Sequence, residues 1–216
     1  SYIEPSLITG SDRDKYTWSI GSTVYGNTYD ADSKNYKDIL GFDSVAGFGS
    51  YLNEEYSKIV ESADYYKGFY VGRYETTVES EQMGTAKGKN ILNNVNWYNL
   101  YKYQNSALYD KNAWYSSRSI SSTMITGMQY DAMLNWMLTG NDKTKVTALN
   151  IGNKSNALSV SGNYSNDKIN NIYDLASNAY EVTQESNSYN YRVYRGGGYD
   201  KTKTETPSTR PSLSNT

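Results

Sequence analysis

The apolar positions of this chain gather in a few clusters separated by long polar stretches, and each cluster carries a period. Within residues 171–199, Ile172, Tyr173 and Leu175 interleave with short polar residues, a corner follows at Ser177 and Asn178, and a second alternating segment runs over 189–194 into Gly196, Gly197 and Gly198. Alternation at period two followed by a glycine cluster predicts strand, turn and strand, the glycines supplying positive φ or close backbone approach. Residues 68–74, GFYVGRY, are dense in aromatic and β-branched side chains and predict another strand, continued by Glu75, Thr76 and Thr77. Residues 16–20 alternate and predict a short strand of their own.

Three clusters have the helical period instead. Tyr51, Leu52, Tyr56, Ile59 and Val60 predict a short helix within 44–60. Val95, Tyr98, Leu100, Tyr101 and Leu108 predict a second within 93–108. Met128, Ala132, Met133, Trp136 and Met137 place one apolar face on a helix within 121–138, which reads as core, and Gly140 just past its end suits a C-cap. Residues 139–170 are rich in Asn, Ser, Gly, Lys and Asp and predict a long loop or a weak hairpin around 157–160.

At 216 residues the chain fits one medium domain, able to bury roughly 70% of its unfolded surface. The apolar content of residues 1–60 is thin, so they are expected to form an N-terminal extension packed on a domain spanning 61–216. With 24 Tyr against 3 Phe, tyrosine must serve both as core and as an amphipathic surface. Basic and acidic residues, 21 and 23, are interspersed to a net charge of −2 with no basic stripe, which argues against a nucleic-acid partner. No run approaches the roughly 18 apolar residues that a membrane-spanning helix needs, so no membrane insertion is expected of this segment. The start at Ser1 is read as that of a processed or trimmed piece.

The sequence has no Cys and no His. That removes disulfides, thiolate nucleophiles, Cys-ligated metals and the usual imidazole base. Weaker chemistry signals fail on spacing. Asp30 and Asp32 begin like a calcium-binding EF-hand loop, but Asn35 and Gly41 stand where Gly and Glu are needed, and Asp12 with Asp14 has no further partner. Residues 85–89, TAKGK, do not satisfy the phosphate-loop pattern from Gly84 or Gly88 and read as a solvated loop.

The order N-x-Y-D-L-x-x-N-x-x-E, then R-V-x-R-G-G-x-Y, in residues 171–199 closely resembles the C-terminal signature of the formylglycine-generating enzyme (sulfatase-modifying factor) family, and residues 68–77 resemble that family's early G-F-Y-I-G-x-Y-E-V-T strand. The resemblance covers roughly 66–210. It implies an α+β, C-type-lectin-like fold with two helices and small antiparallel sheets, rich in loops. A final strand of the family is expected to be missing, because no G-F-R-type segment follows. Catalytic members place two copper-binding cysteines where this chain has Lys201 and Thr206, so the resemblance implies no catalytic residues here. The family's N-x-x-E also holds calcium, which points to Asn178 and Glu181 as metal ligands; the other reading of the pair is polar side chains hydrogen-bonded to loop amides. Ser177 replaces the family's Gly there, and Tyr180 and Val182 replace its two Trp.

What remains is binding. The Tyr, Asn and Ser mixture of residues 186–200 is similar to that of the variable proteins of diversity-generating retroelements, which belong to the same fold group. It implies a receptor- or adhesin-like domain that meets a protein or glycan on another surface, in an extracellular, cell-surface or virion setting of bacteria or phage. The expected contact residues are Tyr189, Asn190, Tyr191, Gly198, Tyr199, Asp200 and Lys201, with Tyr189 and Tyr191 facing opposite to Asn190 and Arg192. The alternatives are a formylglycine-generating-type oxidase with a displaced metal site and a structural subunit of a surface assembly.

Overall fold

A computed structural model of the chain describes residues 2–3, 35–79, 82–104, 122–149, 151–188, 191–200, 202, 204–209 and 212–214. In chain order the regular elements are β1 (Tyr2–Ile3), α1 (Asn35–Asp38), α2 (Val45–Tyr66), β2 (Phe69–Tyr70), β3 (Thr76–Glu79), β4 (Gln82–Thr85), α3 (Trp97–Tyr103), α4 (Gly127–Leu138), β5 (Glu181–Ser188), β6 (Tyr191–Arg195) and β7 (Ser212–Ser214). The fold is α+β. Its described sheets are small and antiparallel: β1 with β2, β3 with β4, and the three-stranded order β5-β6-β7. The strand expected over 16–20 and the acidic pairs at Asp12 and Asp30 lie outside the described residues.

The helix expected within 44–60 runs on to Tyr66, so the boundary drawn at 60 falls inside α2. Ser44 starts it, its hydroxyl accepting from Gly47 N at 3.1 Å, and Lys67 ends it in the left-handed conformation at φ 60°. Phe48 and Leu52 turn inward against Trp97, Tyr98 and Tyr101 of α3, and these five make one apolar cluster. Trp97 stacks on Tyr101 at 4.7 Å and meets Phe48 edge-on at 6.5 Å. The N-terminal part of the chain thus supplies two of the five residues of this cluster.

A second cluster surrounds α4: Tyr130, Ala132, Met133, Leu134 and Met137 pack with Val146, Ile169, Ile172 and Leu175. Thr126 and Gln129 form a reciprocal capping box at its start. The helix is enclosed on most of its circumference, while Met128 and Trp136, expected on its core face, are only half-buried. Gly140 is not its left-handed cap; Thr139 ends the helix in right-handed geometry. Gly140 is instead favoured by proximity, because a Cβ there would overlap the Asn170 amide unless that side chain moved.

Two predicted strands break down. Residues 68–77 pair as a strand only at Phe69–Tyr70 and again from Thr76, and between them the chain leaves the ladder. Residues 170–178 form no strand beyond an isolated bridge from Ile169 to Ile172. Asn170, Asn171, Asp174 and Asn178 all have positive φ, from 46° to 69°, which Asn and Asp tolerate and an extended strand forbids. Residues 157–160 form no hairpin either. Ser212–Ser214 pairs with β6 through Leu213 and Arg192 and lies at the edge of this sheet.

Candidate functional site

The C-terminal sheet is covered on both faces: Arg192, Val193 and Arg195 in β6 and Thr183, Gln184 and Glu185 in β5 are all enclosed. Simple alternation of inward and outward residues therefore does not hold for β6 at 192–193. A charge inside the fold needs compensation. The Arg195 guanidinium meets Asp131 at 2.5 Å and Glu185 at 3.1 Å, and lies over the Tyr130 ring at 4.6 Å. The Arg192 guanidinium lies over Trp97 at 3.5 Å, and Trp97 Nε1 donates to Thr183 O at 2.9 Å. Arg192 and Arg195 thus hold the sheet to the helices.

Beyond β6 the chain turns through Gly196, at φ 73°, where a Cβ would collide with the Leu175 carbonyl and the Glu181 carboxylate. The next residues are fixed by hydrogen bonds. Gly198 N donates to Glu205 Oε2 at 2.8 Å, Lys154 Nζ donates to Gly198 O at 2.9 Å, and the Tyr180 hydroxyl donates to Glu205. Burial, then the neighbouring Glu205, pushes the Tyr180 phenol up, so it stays a donor. Tyr199 is clamped on both sides of its backbone, its N–H donating to Asn178 O at 2.9 Å and its carbonyl accepting from Asn156 N at 3.0 Å. Its side chain is 39% exposed. Asp200 is half-buried, and its Oδ1 accepts from Thr202 N at 2.8 Å and Thr202 Oγ1 at 2.7 Å.

Of the expected contact residues, Tyr199 and Asp200 stand together at this tip. Gly198 does not offer itself to a ligand, because it is buried with both backbone groups spent on Glu205 and Lys154. Tyr189, Asn190 and Lys201 lie outside the described residues, and Tyr191 is described as the backbone that opens β6.

Asn178 and Glu181 part company. Asn178 sits in a turn at φ 65°, and its Oδ1 accepts from Ser159 N and Asn153 Nδ2, both at 2.8 Å. Its Nδ2 donates to Glu75 Oε2 at 2.5 Å and Ser159 O at 3.1 Å. Glu181 begins β5, and its Oε2 is enclosed with no hydrogen-bond partner among the described residues. An amide oxygen already holding two N–H donors leaves no place in its plane for a cation. The pair as arranged does not fit calcium. The carboxylate that meets the amide following Asn178 is Glu75, whose Oε1 accepts from Ala179 N at 2.9 Å.

Glu75, Asp167, Asp174 and Glu181 form a cluster of acids beneath this turn, Asp167 and Asp174 buried and Glu75 and Glu181 partly so. Asp167 accepts from Ala176 N and Ser177 Oγ, and Asp174 from Gly162 N. Burial, reinforced by Asp174, pushes Glu75 up to about 8; burial also pushes Asp167 up to about 7 and raises Asp174. Burial, then the neighbouring Glu75, raises the Glu181 carboxyl well above its ordinary value. The role of Glu75 was not legible in its own segment, which reads only as a strand continuation.

No family model, no curated protein and no solved structure matches this chain. No helix among the described residues is long and apolar enough to cross a membrane.

Proposed function

We propose that this chain is a non-catalytic binding domain of C-type-lectin-like fold, which meets its ligand at the tip formed by Tyr199 and Asp200. The observation that carries the reading is the state of Tyr199, whose backbone is clamped on both sides while its ring remains accessible. An aromatic side chain fixed in advance gains contact area without losing much freedom on binding. The R-V-x-R-G-G-x-Y order supports the lectin-like reading, since Arg192 and Arg195 are structural and the glycines bring the tip across the Ala176 turn. The sequence lacks thiol and imidazole, and Lys201 and Thr206 stand where the resembling family has its cysteines. The ligand belongs to a protein or glycan surface, and the setting is extracellular, on a cell or virion of bacterial or phage origin.

Within this reading the chain is a variable protein of a diversity-generating retroelement. Sequencing the locus across many isolates tests this. Copies are expected to differ at Tyr189, Asn190, Tyr191, Tyr199 and Asp200 while keeping Arg192, Arg195, Gly196, Gly197 and Glu205, beside a reverse-transcriptase gene. Variation spread evenly along the chain would overturn the variable-protein reading. On the purified chain, Tyr199→Ala is expected to leave the melting temperature within about 2 °C, since a substitution of an exposed side chain costs roughly 0.5 kcal/mol or less. Unfolding would assign Tyr199 to the core and end the binding reading.

A further inference from the structure

Two stretches hold the tip by its backbone. Gly197 N donates to Leu175 O at 3.2 Å and Tyr199 N to Asn178 O at 2.9 Å, so the turn 174–178 carries residues 197–199. From the other side, Asn156 N donates to Tyr199 O at 3.0 Å. Both stretches converge on Asp167, which is fully buried. Its Oδ1 accepts from Ala176 N at 3.3 Å and its Oδ2 from Ser177 Oγ at 2.5 Å. Gly152, four residues before Asn156, packs on the same carboxyl, where an added Cβ would collide with Asp167 Oδ2. Asp174 belongs to the turn itself and is 1% exposed. Its Oδ2 accepts from Gly162 N at 2.6 Å, and its Oδ1 is enclosed with no hydrogen-bond partner.

Resting on the reading of Tyr199 as a contact residue, we infer that Asp167 and Asp174 are a pH-operated latch on the tip, which holds while the pair keeps a proton and lets go when both carboxyls are ionised. A carboxylate inside a fold needs donors or a cation beside it. Asp167 has two donors and Asp174 one, and the cations around them are engaged elsewhere. Lys154 pairs with Glu205 at 3.3 Å, and Arg195 with Asp131 and Glu185. Lys168, next to Asp167 in sequence, faces Asp142, and Lys87 lies over the Tyr173 ring at 5.9 Å. The acids that face the pair, Glu75 and Glu181, carry the same sign of charge. Tyr130 of α4 also faces Asp167, and burial keeps its phenol neutral.

Two negative charges on Asp167 and Asp174 would therefore oppose each other with no partner of their own. Moving the turn 174–178 toward water relieves them, and that movement breaks the hydrogen bonds from Gly197 N and Tyr199 N. Burial raises both carboxyls, Asp167 up to about 7, so the change of charge falls near neutral pH. The folded chain holds these protons more tightly than the opened one, so the tip is fixed on the acid side and freed on the alkaline side.

Amide hydrogen exchange of the full chain, read by NMR at about pH 5.5 and about pH 8 and divided by intrinsic rates, tests this without a ligand. At the higher pH the Gly197 and Tyr199 amides are expected to be about tenfold or more less protected than those of Leu52 and Tyr56 in α2, the mark of a local opening. Their protection is expected to rise about tenfold or more on going to the lower pH. Asp167→Asn, which keeps an acceptor for Ala176 N and lets the Ser177 hydroxyl turn round to accept, should remove about tenfold of that rise. Tip amides as protected as α2 at the higher pH would overturn the latch, because the tip would then open only with the whole fold. So would protection that does not change with pH, or the same change in Asp167→Asn. The wild type alone gives a second reading. Its Asp167 carboxyl carbon, followed by NMR, should titrate near 7, and titration of both Asp167 and Asp174 near the ordinary value of about 3.9 would also end the idea. A failed latch leaves Tyr199 a contact residue without control by pH. Unfolding of Tyr199→Ala would instead remove the binding reading while the exchange result stood.

Discussion

The α2–α3 cluster and the C-terminal sheet are both interior, yet they are held by different forces. Around Phe48, Leu52, Trp97, Tyr98 and Tyr101 the contacts are dispersion and apolar burial, which depend on volume more than on direction. Around Arg195, Glu185, Asp131, Glu205 and Asn178 they are hydrogen bonds and ion pairs with fixed partners and angles. The first kind of interior tolerates replacement at constant volume; the second does not. The candidate site grows from the second kind, so the geometry of Tyr199 is inherited from charges that cannot be exchanged freely.

The largest expected effect tests that contrast directly. Arg195→Ala strands the Asp131 and Glu185 carboxylates inside the fold and is expected to cost about 3–5 kcal/mol. Leu52→Ala is expected to cost about 2–5 kcal/mol through its cavity. The conservative partners separate the two regions: Leu52→Met should recover to within about 1.5 kcal/mol of wild type, whereas Arg195→Lys should not, because an ammonium cannot hold two carboxylates in the guanidinium's fork. Urea denaturation of the four variants reads this. Equal recovery by both conservative variants would break the distinction.

The buried acids give the next effect. The Glu75 carboxyl goes from an ordinary value of about 4.3 in the unfolded chain up to about 8 in the fold, and Asp167 from about 3.9 up to about 7. For both, the folded chain holds its proton more tightly than the unfolded one. Their contribution is fully present below about pH 4 and is lost as pH rises through 7 and 8. The groups facing them are Asp174 and Glu181, with Lys154 the opposing cation near Asp167. The melting temperature is therefore expected to fall between pH 5 and pH 9, and Glu75→Gln should flatten that slope by removing one titration while keeping an acceptor for Ala179 N. A Tm that climbs across the same range would refute the protonated cluster.

The difference between the regions also explains what was legible in the sequence. Leu52 and Tyr56 of α2 and Met133 and Met137 of α4 are buried at helical spacing, and apolar burial leaves a period that can be read. The strand β5, EVTQESNS, left none. Thr183, Gln184 and Glu185 are consecutive, polar and all buried, because each has its own partner: Thr183 Oγ1 donates to Val193 O, Gln184 Nε2 to Met124 O, and Glu185 accepts from Arg195. Partners at separations of 10 to 60 residues cannot be found by local pattern. The same holds at the site. Tyr199 and Asp200 were named from composition, while Glu75, bonded to Asn178 across 103 residues, was not. The strand over-read through 68–77 failed for a related reason: the chain leaves the ladder after Tyr70 and brings the Glu75 carboxylate to the Asn178 turn.

The smallest expected effect concerns Gly140. Gly140 follows α4, and its Cα faces the Asn170 side chain so closely that an added methyl would overlap the amide. Its φ is not positive, so Gly140→Ala meets no backbone strain, and the whole cost is the displacement of Asn170. Asn170 is itself left-handed at φ 46° and its N–H donates to Asp142 Oδ2 at 3.4 Å, a weak tie. A side chain on such a loop can yield, which places the expected cost near about 1 kcal/mol, at the low end for overpacking. Asn170→Gly on top of Gly140→Ala removes the obstacle while keeping the left-handed backbone, and the double variant should regain most of the loss. The coupling between the two substitutions in a double-mutant cycle is then the measured quantity. If Gly140 acted as a left-handed cap, the loss would persist in the double variant and the cycle would show no coupling.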